Sequence, residues 1–159
     1  MNLIKNREGL PMATTVSIAD FRKDMRKVLE TALTGREIIC ENTKSRDREK
    51  CSFIKTKLFQ EILKAYLFTP KIFYDKETNT HNIHLDELKL YAYADTLPEA
   101  VEQILDLTID YTKDYIERLE LFLNVHDRKE QYPYILRLSH CASREEIKQM
   151  LLGNSYGNV

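Results

Sequence analysis

The sequence predicts an α+β chain in two small lobes, β-α-β-β-α followed by antiparallel strands and one long helix. Three observations carry this reading. The hydrophobic period changes from strand-like to helical at Ile18. Thr69-Pro70 then interrupts the chain, because proline disfavours helix at itself and just before, and this sets lobes at residues 1–68 and 69–159. From Leu97 an apolar stripe runs for about seven turns at 3.6 residues each.

Taken in order, Thr14 to Ser17 is a short β-prone run. Ile18, Phe21, Met25, Val28, Leu29 and Ala32 recur at helical spacing and predict one helix, with Ser17 and Asp20 as a capping box and Gly35 as its stop. Its opposite face carries Arg22, Lys23, Arg26 and Lys27. Glu37 to Glu41 and Cys51 to Ile54 read as strands of a hairpin, and the polar stretch from Asn42 to Lys50 as its long basic tip. Lys57 to Phe68 is helical again, with Leu58, Ile62, Ala65 and Tyr66 on one side.

In the second lobe, Lys71 to Tyr74, His81 to Leu85 and Lys89 to Tyr93 read as strands, the first two joined by a turn over Asp75 to Asn79. Asp95 or Thr96 caps the long helix and Pro98 suits its first turn. The stripe Leu97, Val101, Ile104, Thr108, Tyr111, Tyr115, Leu119 and Phe122 is long for a globular domain, so part of it is a candidate dimer surface. Tyr134 to Leu138 fits strand or helix. Ser143 to Glu146 is a capping box for a last helix closed by Gly153, and the tail from Asn154 to Val159 is expected to be loose.

Composition narrows the function. The 159 residues are 43% hydrophobic and 31% charged with 4 Gly and 4 Pro, which excludes collagen-like and low-complexity chains. No apolar run is long enough for a membrane span, and Met1 to Met12 lacks the apolar core of a secretion signal. Three cysteines are too few for a disulfide framework, so the expected compartment is the cytoplasm. The net charge of −1 conceals a division. Residues 1–64 hold 14 Lys/Arg against 9 Asp/Glu, a net +5, and residues 65–159 hold 10 against 16, a net −6. A basic half suits a polyanion and an acidic half a basic protein, although chance on small surfaces also produces such differences.

No phosphate loop, Cys-x-x-Cys, His-Glu-x-x-His or nucleophile elbow is present, so no catalytic residue, metal or cofactor is expected. His81 and His84 fall on opposite faces of a strand, and His126, His140 and Cys141 are scattered. Cys40 and Cys51 sit near the facing ends of the hairpin, as two small packed thiols or as a redox clasp. The helix cations with Lys44, Arg46, Arg48 and Lys50 form the most informative set, because Lys and Arg on a rigid frame track phosphates and Arg reads guanine edges. The competing reading is a solvated face balanced by Asp20 and Asp24.

Residues 13–68 resemble the Phd/YefM family of antitoxins from bacterial toxin–antitoxin operons. The likeness rests on the short strand, Ser17-Ile18-Ala19-Asp20-Phe21-Arg22, Ile38-Ile39 before the hairpin, and the helix Lys57-Leu58-Phe59-Gln60-Glu61-Ile62-Leu63. The resemblance implies a homodimer whose first lobe binds operator DNA and represses the operon. It places a DNA contact at Arg22. The family's second arginine position holds Asn42 here, which moves that contact to Lys44, Arg46 or Arg48, with Arg26 beside them. Residues 71–116 resemble a HicB-type antitoxin lobe through Asp95-Thr96-Leu97-Pro98-Glu99-Ala100-Val101, without that family's Gly-rich strand pattern. Together these imply a folded, acidic lobe that engages a cognate toxin, often a basic ribonuclease. The alternative is a stand-alone transcriptional regulator whose second lobe binds a ligand or oligomerises.

Overall fold

The computed structural model of the chain describes residues 13–153, so the expectations for residues 1–12 and for the tail 154–159 lie outside the described residues. It is an α+β fold with two three-stranded sheets. The chain divides into two compact units, Met1–Ile62 and Leu63–Val159.

The first unit runs β1 (Thr14–Ser17), α1 (Ile18–Lys23), α2 (Met25–Leu33), β2 (Ile38–Glu41), β3 (Lys50–Phe53) and most of α3 (Thr56–Leu63). β2 lies between β1, to which it is parallel, and β3, to which it is antiparallel. Ser17 begins α1 as expected: its Oγ accepts from the Asp20 amide at 3.1 Å and donates to the Asp20 carboxylate at 2.8 Å. The single helix expected from Ile18 onward is two helices. Asp24, at φ −143° and ψ 51°, leaves the helical region, and its carboxylate accepts from the Lys27 amide at 3.4 Å as the cap of α2. Gly35, at φ 96°, provides the left-handed stop after α2, and its amide donates to the Ala32 carbonyl at 2.9 Å. The core of this unit is small: Val16, Val28, Ala32, Ile38 and Cys40, flanked by Ile18, Phe21 and Phe53. Met25 and Leu29 are exposed rather than packed in that core. α3 stops at Leu63 instead of continuing to Phe68.

The second unit has an antiparallel meander, β4 (Lys71–Asp75), β5 (Thr80–Leu85) and β6 (Leu90–Ala94), turned at left-handed Asn79 and Lys89. α4 (Leu97–Glu117) starts at Thr96, whose Oγ1 accepts from the Glu99 amide and donates to its carboxylate. Ile83, Leu85 and Ala92 of the sheet pack with Ala100, Val101, Ile104 and Leu105 of α4 in one buried cluster. The long stripe breaks at Arg118 (φ −115°, ψ 37°), where α5 (Leu119–Leu123) begins. Its members from Leu97 to Phe122 line the interior of this unit rather than a surface for a partner. α6 (His126–Lys129), α7 (Tyr132–Ser139) and α8 (Arg144–Leu152) complete the layer, so the ambiguous stretch around Tyr134 is helical. Ser143 caps α8 by accepting from the Glu146 amide at 3.2 Å.

Candidate nucleic-acid interface

The proposed DNA contacts all belong to the first unit. Arg22 is exposed in the last turn of α1, and its position is fixed by its neighbour: the Phe21 ring stacks on Phe53 at 4.9 Å between centroids, bracing α1 against β3. Arg22, Lys50 and Asn42 line a cleft of about 430 Å³ whose floor includes Phe21, Cys40 and Cys51. Asp20 and Asp24, the carboxylates that could have balanced the basic face, are occupied as helix caps.

Arg26 does not share a helix with Arg22, because the Asp24 break separates them. It pairs instead with Glu30, one turn on, at 2.7 Å on an exposed surface. The hairpin tip is a folded turn rather than an open loop. The Asn42 amide donates to the Glu49 carbonyl at 2.9 Å, Asn42 Oδ1 accepts from the Lys44 amide at 3.3 Å, and the Arg48 amide donates to the Ser45 carbonyl at 3.2 Å. Arg48 takes a left-handed φ of 46° and approaches Glu41 at 4.0 Å. Lys44 and Arg46 project from the turn as exposed cations with no ion pair among the described residues.

Cys40 and Cys51 are direct cross-strand partners, and both are free thiols. Burial, and then the neighbouring Cys51, push the Cys40 thiol above its usual range, so it is held neutral. His81 lies beside Tyr74, while His84 lies on the other face of β5 between Phe73 and Tyr91. Among the described residues no group of three or more His, Cys, Asp or Glu is gathered as for a metal ion, and no helix is long and apolar enough to cross a membrane.

Two features escaped the sequence reading. Met25, Leu29 and Leu33 on α2, with Leu58 and Ile62 on α3, are exposed apolar side chains of the first unit. Their four-residue spacing was visible, but spacing shows that a face is to be covered and not by what. In the second unit, Phe73, Tyr91 and Tyr93 are exposed on the sheet.

The first unit, β-α-α-β-β-α, thus carries exposed cations, and the second carries an excess of acidic residues. Residues 12–153 match the PHD-like family, described as antitoxin of toxin–antitoxin, RelE/RelB, TA system, and the chain belongs to that family. Membership implies a toxin partner. The fold is similar to a crystal structure from Syntrophomonas wolfei subsp. wolfei, described as the antitoxin part of a proposed toxin/antitoxin system. The TM-score is 0.71 at 19% identity, over 86% of this chain and 94% of that one. No curated protein matches the chain.

Proposed function

We propose that the chain is an antitoxin with divided labour: a Phd/YefM-like first unit that dimerises and represses its own operon, and a HicB-like second unit that neutralises a toxin, here a basic ribonuclease. Its action is binding rather than catalysis, in the cytoplasm. The observation that carries the reading is the charge division across two separately cored units, +4 over residues 1–62 and −5 over 63–159. An acidic surface steers a basic toxin and covers its active site. Co-expressed with the protein of the adjoining reading frame, the full chain is expected to co-purify with it and to abolish its RNA cleavage. A toxin that stays active and elutes alone would contradict this.

The dimer follows from the size of the first core. A unit of about 60 residues is marginal alone, and this one exposes Leu29, Leu33, Leu58 and Ile62. Pairing buries them and stabilises the unit by mass action. Light scattering at micromolar concentration should give twice the chain mass, and Leu29→Glu with Ile62→Glu should give the monomer. A wild-type monomer removes the dimer, and with it the two-fold DNA contact.

One observation favours the second reading, a regulator whose second unit takes a small ligand. A polar cleft of about 410 Å³, lined by Tyr66, Glu87, Lys89, Asp127, Gln131 and Tyr134, adjoins two buried atoms without hydrogen-bond partners, Glu87 Oε2 and Gln131 Nε2.

A further inference from the structure

A solvated sheet face is expected to be polar, and the outer face of the second sheet is aromatic. Side chains alternate along each strand. Ile72, Ile83, Leu85 and Ala92 therefore turn towards the core under α4, and Phe73, His84, Tyr91 and Tyr93 turn away from it. Phe73, Tyr91 and Tyr93 are 44%, 53% and 68% exposed. His84 stands edge-on between Phe73 and Tyr91, with centroids 5.0 and 4.8 Å away and interplanar angles of 82° and 84°. Phe73, His84 and Tyr91 hold one another in place, so covering them costs little conformational entropy.

Carboxylates rim this strip. Asp75 ends β4 and Asp95 follows β6 at the same end of the sheet, since Thr80 pairs with Asp75 and His81 with Ala94. At the opposite end Lys71, which pairs with His84 and shares this face, donates to Asp86, so that carboxylate is already answered and the open ones are Asp75 and Asp95. π faces edged by carboxylates attract a planar cation, and guanidinium sheds water to stack more readily than ammonium does.

We propose that this aromatic face docks an arginine-bearing surface of the toxin, with guanidinium groups lying on Phe73, Tyr91 and Tyr93 beside the rim carboxylates. The proposal rests on the reading that the second unit holds the toxin. The net −6 of residues 65–159 draws a basic partner to this unit, and Asp75 and Asp95 favour the end of the face they edge. A second copy of this face fits poorly, because it offers no guanidinium to lie on the rings. Self-pairing would also set rim carboxylates against their own kind. Nucleic acid fits no better, because phosphates would meet Asp75 and Asp95, while Lys71 is already taken by Asp86.

The test uses the full chain and, as probe, the toxin of the adjoining reading frame immobilised on a sensor. Phe73→Ser/Tyr91→Ser/Tyr93→Ser is expected to weaken capture ~30-fold or more, as loss of a hot-spot cluster does. Tyr91→Phe/Tyr93→Phe keeps the π faces and should stay within about threefold of wild type. A nona-arginine peptide should compete at lower concentration than nona-lysine. Should the triple variant unfold, Tyr93→Ser alone, at the most exposed of the three, is expected to cost about fivefold. Undiminished capture by a folded serine variant overturns the docking face and leaves toxin binding by the chain standing. Absence of capture by wild type overturns both. Equal competition by the two peptides overturns the guanidinium assignment. If the serine variant keeps the toxin but loses self-association or DNA, the face belongs to a second copy or to nucleic acid, and the proposal fails.

Discussion

Replacing Tyr115 by Ala is expected to destabilise the second unit by about 3–5 kcal/mol, the range for removing a fully buried aromatic side chain. Tyr115 is 0% exposed. Its ring stacks on Phe122 at 4.5 Å and on Tyr132 at 6.3 Å, and meets Tyr111 edge-on at 6.1 Å. Its hydroxyl donates to the Arg128 carbonyl at 2.7 Å, which ties α4 to the short α6. That contact anchors a second layer, because the Arg128 guanidinium donates to the Tyr111 hydroxyl at 2.9 Å and the hydroxyl donates to buried Gln131. Burial pushes both tyrosines above their ordinary range, so both remain neutral donors well above neutral pH. Tyr115→Phe keeps the rings and loses one hydrogen bond, about 1 kcal/mol. For a domain of this size the Ala variant should lower the unfolding midpoint by about 12 °C or more, and the Phe variant by a few degrees. Calorimetry separates them. Equal shifts would mean that the ring carries nothing beyond its hydroxyl.

Helix starts were legible because a cap is a local event. Ser17 with Asp20, Thr96 with Glu99, and Ser143 with Glu146 are each written within four residues, and each is made. The hairpin that sets Cys40 opposite Cys51 was legible from two short apolar runs around a polar one. The breaks at Asp24 and Arg118 were not. The apolar stripe continues in phase across both, from Phe21 to Met25 and from Tyr115 to Leu119, so periodicity carries no mark of them. Their cause lies in the backbone, at two residues outside the helical region.

The sense of β6 was hidden for another reason. Leu90-Tyr91-Ala92-Tyr93-Ala94 alternates cleanly, but alternation alone does not say which set faces the core. The inner set is the small one: Ala92 is 3% exposed and packs in the cluster with Ala100 of α4. Small residues on both elements let the helix approach the sheet, and the tyrosines are left on the far side. Of the candidate DNA residues, residue type and location in the first unit were legible. Which of them share a rigid element was not, because that depended on Asp24.

Arg22 carries the second large expected effect. A two-fold dimer repeats each contact on a palindromic operator, so one substitution removes two contacts. Arg22→Ala should cost about 1–3 kcal/mol per contact if its guanidinium reads a guanine edge, and should relax sequence preference there. The stacked Phe21–Phe53 pair braces the turn of α1 that carries it. Arg46, on the hairpin turn, should behave differently. Arg46→Ala is expected to weaken binding to all duplexes alike and to flatten the salt dependence by about one unit of slope, as for a phosphate contact. Lys44 belongs with Arg46. Arg26 and Arg48 begin from contacts with Glu30 and Glu41, so part of their charge is already answered and their substitution should cost less. A mobility-shift titration of the chain against its own upstream region, with random duplex as competitor at fixed salt, tests these together. The competing picture, a solvated basic face, predicts equal affinity for the two DNAs and equal losses for Arg22→Ala and Arg46→Ala. That result would remove the repressor role while leaving toxin capture by the second unit untouched, since the two activities are assigned to units with separate cores.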